Sequence, residues 1–358
     1  NKPVSLLAKW LPSCNASSAD SKKYSKIIRQ CLDMTESAYR KTLSWLRKYI
    51  DVVEVKMSAK QWGDIKYEAV PSRANLIYND AFLRNDETRR REFLAQLEKG
   101  EVKINAGTLF PHDIVHKYTD SNGWRARLKA YDATIEGLWK NLPDMVDGCG
   151  NTIVVADGSG SMTVSVGDTN TTALEVANAL AIYFAEHSSG EFKDKYITFS
   201  SRPQFVDFSR GQSLRDKISI ALGHNEISNT NIEAVFDLIL STAVRNNMSQ
   251  EDIPANILII SDMEFDCATT GRIGANLFKT IEAKYKNHGY NLPRLVFWNV
   301  NSRTNTIPVR ENEMGVALVS GFSVNVCKMV MSGKTDPLEC LLETLNSERY
   351  QPVEDALK

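Results

Sequence analysis

Two rhythms of apolar spacing divide the chain. From Lys22 to Met57 apolar residues recur at helical intervals, Ile27, Ile28, Cys31 and Leu32, then Tyr39, Leu43, Leu46 and Ile50. A period near 3.6 predicts helix there. Asp86 and Glu87 open a further helix through Phe93, Leu94 and Leu97, and Gly100 is placed to end it with a left-handed backbone. A third helical stretch is expected from about Trp124 to Leu142, where Pro143 lacks the N–H needed to continue. No strand pair is evident before residue 150, so residues 1–148 read as a helical domain.

Beyond that point short apolar runs alternate with helical patterns. Ile153–Ala156, Lys195–Phe199, Pro203–Phe208, Ile257–Ile260, Leu295–Trp298 and Val316–Val319 are expected strands. Ala173–His187, Leu214–Leu222, Ile232–Arg245, Ala275–His288, Pro337–Asn346 and Val353–Leu357 are expected helices. Continuous apolar runs are the mark of parallel strands covered on both faces, and their alternation with helices predicts βαβ units. The expected fold class is therefore α/β, a Rossmann-like, doubly wound domain over residues 149–358, preceded by an all-α domain. The six strands are expected in the order 3-2-1-4-5-6, the third a short antiparallel edge with Pro203 at its start, where a missing N–H is tolerated.

Charge sharpens this division. The chain has a net charge of −1, but residues 1–150 carry 25 Lys+Arg against 19 Asp+Glu, a surplus of +6, and the remainder carries −7. The basic stretches are Lys22, Lys23 and Lys26, then Arg84, Arg89, Arg90 and Arg91, then Arg125, Arg127 and Lys129. The last seven of these are candidates for polyanion binding; a solvated helix face is the other reading. The six cysteines form no C-x-x-C pair, which argues against zinc and thioredoxin-like chemistry. Their low density argues against a disulfide-stapled fold and for a reducing, cytoplasmic setting. No apolar run is long enough to span a membrane, and the first residues lack the apolar core of a secretory signal. The absence of an initiator Met fits a processed or truncated chain.

The chemistry gathers at strand ends. The first buried strand runs into Asp157-Gly158-Ser159-Gly160-Ser161, one carboxylate and two hydroxyls at alternating positions with glycines between. The fourth strand ends in Ser261-Asp262, and Thr230 lies in a polar loop just before a helix. In an open parallel sheet such loops collect at the carboxyl edge. Asp157, Ser159, Ser161, Thr230 and Asp262 are hard oxygen ligands, suited to Mg²⁺, with Mn²⁺ or Ca²⁺ as alternatives. Two carboxylates only balance a divalent charge, so such an ion would accept a further carboxylate from outside. His112 and His116 have a zinc-compatible spacing but no third ligand and no intervening Glu as in H-E-x-x-H. No catalytic set is evident around the serines, and no Walker lysine follows the Gly-Ser run.

In order, kind and spacing, Asp157-Gly-Ser159-Gly-Ser161, Thr230 and Asp262 resemble the metal-ion-dependent adhesion site of von Willebrand factor A domains. The resemblance implies that an acidic residue of a binding partner completes the metal shell. Met263 stands where many members have glycine. Further phrases, among them Leu6–Ser13, Tyr67–Ala74 and Lys103–His112, resemble a domain-of-unknown-function family over nearly the whole chain. That family is similar in architecture to the Ro ribonucleoprotein autoantigens, whose helical module binds small RNA. The first functional expectation is accordingly a non-enzymatic, metal-dependent interaction protein. A Ro-like RNA-binding component and a metal-dependent hydrolase are the alternatives.

Overall fold

The computed structural model describes residues 6–120, 126–146, 151–167, 169–225, 231–262, 275–301, 316–320, 337–346, 350, 351, 353 and 355. Packing divides the chain into two compact units, Asn1–Asn105 and Ala106–Lys358.

The first unit is helical: α1 (Leu7–Trp10), α2 (Ala19–Cys31), α3 (Glu36–Tyr49), α4 (Val53–Ser58), α5 (Ser72–Asn85) and α6 (Glu87–Glu98). Ser18 and Thr35 cap α2 and α3 by accepting from Ser21 N and Ala38 N, the usual use of a hydroxyl before a first turn. Gly100 stands just past α6 at φ +76°, as its position in the sequence predicts. Asp86 does not cap α6; its carboxylate accepts from Tyr67 Oη at 2.8 Å and from Arg89 at 2.8 Å. The core of this unit includes Tyr39, Leu43, Ile65, Tyr67, Phe82, Phe93 and Leu97.

The second unit contains α7 (Pro111–Tyr118), β1 (Thr119–Asp120), β2 (Arg127–Leu128), α8 (Ala133–Lys140), β3 (Thr152–Ala156) and α9 (Ala173–His187). It continues through β4 (Lys195–Thr198), β5 (Phe205–Asp207), α10 (Leu214–Leu222), α11 (Ile232–Arg245) and β6 (Asn256–Ser261). Next come α12 (Ala275–Asn287), β7 (Arg294–Asn299), β8 (Val316–Ser320) and α13 (Pro337–Leu345). The main sheet has the order β5-β4-β3-β6-β7-β8, parallel except for the antiparallel edge strand β5. Numbered within the sheet this is 3-2-1-4-5-6, as expected, and the fold is a doubly wound α/β domain. Every residue of β3 and β6 is buried. One face of the sheet, with Ile153, Val155, Ile197, Ile257, Ile259 and Phe297, packs on Val235, Phe236 and Ile239 of α11 and Phe278 and Ile281 of α12. Each such side chain withdrawn from water contributes about 1.5–3 kcal/mol. No helix among the described residues is long and apolar enough to cross a membrane.

Two expectations for the first half are corrected: the helix over 124–142, and the absence of a strand pair before residue 150. β2 pairs antiparallel with β1, and the helix begins only at Ala133. The physical reason is Asp132, whose carboxylate accepts from Thr134 N at 2.7 Å and Ile135 N at 3.3 Å and so starts α8 there. Residues 124 and 125 lie outside the described residues.

Residues 106–146 are fastened to the sheet domain, and helix α9 explains why. It is buried on almost every side, which requires a cover on the face away from the sheet. Helix α7 packs on α9, and Tyr183 Oη of α9 donates to Pro143 O and accepts from Met145 N. Glu136 of α8, itself buried, accepts from the first N–H groups of α10, Leu214 N at 2.8 Å and Arg215 N at 3.1 Å, and from Tyr118 Oη at 2.7 Å. A carboxylate at a helix N-terminus satisfies donors that have no partner inside the helix and complements the dipole.

A second carboxylate ties α7 to α9. Glu175 closes a capping box with Thr172, and His116 Nδ1 of α7 lies 3.1 Å from each of its oxygens. Thr119 Oγ1 donates to it as well. Burial alone would raise Glu175, but hydrogen bonds from His116, Thr119 and the Thr172 N–H outweigh it and hold the carboxyl below its usual value. A depressed carboxylate stabilises above its unfolded value, about 4.3, and that contribution is lost as pH falls through the lower folded value. Glu175→Gln is expected to lower the stability of the second unit near neutral pH by about 1–3 kcal/mol, the range for a hydrogen-bonded charged group. Denaturant melts across pH should show the deficit shrinking as the wild-type carboxylate protonates; a pH-independent deficit would rule the linkage out.

Candidate metal centre

The carboxyl edge of the sheet brings the first and fourth sheet strands side by side. β3 and β6 are in register with Ala156 opposite Ile260, and Asp157 N donates to Ile260 O at 3.0 Å. The next residues outward are therefore Asp157 on one strand and Ser261-Asp262 on the other. Asp157 is 2% exposed and Asp262 0% exposed. Two neighbouring carboxylates have been taken out of water at the open end of a sheet.

The loop after β3 turns back on Asp157. Ser159 N donates to Asp157 Oδ1 at 2.9 Å, and Ser261 Oγ donates to Asp157 Oδ2 at 2.7 Å. A short 3₁₀ turn, Gly160–Thr163, follows and is anchored by buried Met162. It brings Ser161 Oγ within 3.0 Å of Ser159 Oγ. Burial pushes the Asp157 carboxyl above the usual carboxylate range; the hydrogen bonds from Ser261 and Ser159 pull it back, and the Asp262 charge pushes it up again. Among the described residues no Lys, Arg or His forms an ion pair with Asp157. A desolvated carboxylate beside a like charge is the electrostatic setting that a bound cation would relieve.

Four of the five expected ligands, Asp157, Ser159, Ser161 and Asp262, thus meet at one edge or in one loop. Thr230 lies outside the described residues, as does Met263; the next residue, Asn231, caps α11 by accepting from Ala234 N at 3.0 Å. Among the described residues no group of three or more His, Cys, Asp or Glu forms a ligand cluster. The expected set has two carboxylates only and takes the rest of its donors from hydroxyls. That donor chemistry, all oxygen and with a charge of two, fits a hard divalent cation and excludes a zinc-thiolate centre.

Two residues at this edge escaped the sequence reading. Ser261 holds the Asp157 carboxylate, and its position directly before Asp262 at the end of an apolar run was the available signal. Ser200, 2% exposed, follows β4, and its hydroxyl has no hydrogen-bond partner among the described residues. Phe199 N donates to Ala156 O at 2.9 Å, which sets Ser200 at the same edge of the sheet as Asp157.

The basic candidates differ in exposure and are divided between the two units. Arg90 is a correction: it is fully buried, so it cannot meet a polyanion. Its guanidinium lies 4.9 Å from the Tyr67 ring, 5.2 Å from Phe82 and 5.3 Å from Phe93, and donates to Asn75 and Asn79. Arg89 is committed to Trp62 O, Ile65 O and Asp86, and Arg91 pairs with Glu87 at 2.8 Å. Arg84 is exposed on α5. Arg127 and Lys129 are exposed but belong to the second unit, Lys129 Nζ donating to Lys117 O; Arg125 lies outside the described residues. His112 is buried against Phe110, and His116 Nδ1 faces Glu175.

Comparison with known proteins places residues 151–354 in a match to the family model described as Domain of unknown function (DUF7788). Residues 15–151 match a second, Domain of unknown function (DUF2828). The two matches meet at 151, close to the expected boundary at 148, whereas packing divides the chain after Asn105. Uncharacterized protein L728 of Acanthamoeba polyphaga mimivirus is 29% identical over 376 residues, covering 98% of this chain; the chain spans 62% of that relative's length. Among solved structures the chain is similar to the Deinococcus radiodurans RO (RSR) protein at 14% identity and a TM-score of 0.46, covering 92% of this chain and 74% of that one. Proximal thread matrix protein 1 from the mussel byssus gives 14% identity and a TM-score of 0.30, covering 54% of this chain and 46% of that one. Both scores are too low to bear on function, and the fold class rests on the strand order itself.

Proposed function

This chain belongs to the family described as Domain of unknown function (DUF7788), and we propose that it is a non-enzymatic, metal-dependent interaction protein. Asp157, Ser159, Ser161, Thr230 and Asp262 would hold one divalent cation, Mg²⁺ first, with Mn²⁺ or Ca²⁺ as substitutes. When bound, the ion would supply an electrophilic position that an acidic residue of a protein partner can fill. The observation that carries this reading is the pair of buried carboxylates, Asp157 and Asp262, closing adjacent strands beside two serine hydroxyls. The roles of the chain's own residues follow. Ser261 and the Ser159 N–H orient the Asp157 carboxylate, leaving its remaining lone pairs for a cation. The hydroxyls add donors without adding charge, so a bound divalent ion keeps its appetite for an anion.

The test is capture of partner proteins from the native source in Mg²⁺, in chelator, and after Mg²⁺ is restored to the chelated sample. Binding is expected in the first and third and lost in the second, with little dependence on salt. Undiminished binding in chelator would remove the reading.

A second reading keeps the helical unit as a polyanion-binding surface, RNA being the partner in question. Its support is charge: residues 1–105 carry 20 Lys+Arg against 13 Asp+Glu, a surplus of +7.

A further inference from the structure

That surplus is not where the arginine-rich stretch stands. Residues 1–58 carry 11 Lys+Arg against 5 Asp+Glu, while residues 59–105, which include Arg84 and Arg89–Arg91, carry 9 against 8. The excess therefore belongs to α1–α4. Helix α3 has two faces that differ sharply. On the inner one, Tyr39 and Leu43 are buried, and Arg47 donates to Ala8 O at 3.0 Å, Leu11 O at 2.7 Å and Ser13 Oγ at 2.8 Å. Arg47 is spent on fixing α1 to α3, and Tyr39 Oη adds a bond to Pro12 O at 3.0 Å.

On the outer face, Lys41, Trp45, Lys48 and Tyr49 follow one another at the spacing of a single helical stripe. Trp45 is 63% exposed and Tyr49 39% exposed, an unusual state for large rings. The rings stack at 5.5 Å and 25°, so the face carries a preformed aromatic platform. Neither Lys41 nor Lys48 has an ion-pair partner among the described residues, and the helix has a single acid, Glu36, in its first turn.

From this we infer that the outer face of α3 binds an unpaired nucleic-acid strand, its bases continuing the Trp45–Tyr49 stack and its phosphates meeting Lys41 and Lys48. The inference deepens the second reading above, on which it rests, and moves it away from Arg84–Arg91. Exposed rings flanked by cations are the chemistry of sequence-tolerant single-strand binding. A membrane surface also attracts Lys and Trp, but an inserting face needs aliphatic anchors. The stripe contains no Leu, Ile or Val.

The test uses the whole chain and an oligouridylate of about 12 nucleotides, within the usual site size of one binding module, read by Trp fluorescence and by anisotropy of a labelled strand. Wild type is expected to bind, with affinity falling steeply as salt rises and unchanged by chelator. Trp45→Ala and Tyr49→Ala should each weaken binding by about 10-fold or more, the loss of one stacked base. Lys41→Gln with Lys48→Gln should flatten the salt dependence. All four positions are exposed, and circular dichroism checks that the variants stay folded. Arg84→Gln with Arg91→Gln should weaken binding less than either ring variant, since those residues stand on α5 and α6 and not on the α3 stripe. Wild-type affinity in the α3 variants would overturn the inference while leaving the second reading standing. No binding by wild type would overturn both. Equal affinity for a duplex, or binding to anionic vesicles in place of the oligonucleotide, would overturn the assignment to unpaired bases.

Discussion

Replacing Arg90 by alanine is expected to destabilise the helical unit by about 3–5 kcal/mol, the scale for truncating a large buried side chain. Its guanidinium is enclosed by the rings of Tyr67, Phe82 and Phe93 and donates to the side chains of Asn75 and Asn79. Alanine would leave a cavity where a large side chain stood and remove the hydrogen bonds from Arg90 to Asn75 and Asn79, a loss of about 1–3 kcal/mol for a buried acceptor. Arg90→Lys should fall short of rescue, because one ammonium cannot match the planar fork that meets two asparagines at once. Chemical denaturation of the whole chain, with Trp fluorescence as the readout, measures this. A change below about 1 kcal/mol, the size typical of a surface substitution, would show that the buried guanidinium contributes little.

The second large effect concerns Asp157. Its replacement by alanine is expected to weaken Mg²⁺ or Mn²⁺ binding at least about 100-fold, since half of the carboxylate charge of the proposed site would be lost. The sheet should survive the change. Asp157 lies past the last paired residue of β3, and the strand's stability comes from Ile153, Val154 and Val155, all buried between helices. In chelator the variant should be no less stable than wild type by more than about 1 kcal/mol, because the lost hydrogen bonds from Ser159 and Ser261 are offset by the relief of a desolvated carboxylate beside Asp262.

How much of this could be read from sequence depends on which force set each feature. The buried strands were legible because parallel strands covered on both faces have no polar side to confuse the pattern; β3, β6 and β7 lie within a residue of their expected ends. Helices α9, α10 and α11 were equally clear, since Thr172, Ser213 and Asn231 cap them with side chains whose preference is local. Asp157 and Asp262 could be paired because strand order follows from chain order in a doubly wound sheet. What could not be read was whatever depended on long-range packing. Arg90 is identical in type to Arg89 and Arg91, and only the fold decides that one of three successive arginines turns inward among Tyr67, Phe82 and Phe93. The welding of residues 106–146 to α9 was likewise hidden, because α7 and α8 carry ordinary helical patterns that name no neighbour. The error over 124–142 had a local remedy: Asp132 before Ala133 is a cap signal inside an otherwise helical run.

The most direct test of the proposed metal centre is a titration of chelator-treated protein with Mn²⁺, followed by the loss of the free-ion electron paramagnetic resonance signal. Wild type is expected to take up a single ion per chain in the micromolar to sub-millimolar range, Mg²⁺ competing for it, and Asp157→Ala and Asp262→Ala to take up none at the same concentrations. Equal uptake by wild type and both variants would contradict the assignment of Asp157 and Asp262 as ligands, and with it the proposed mode of partner capture.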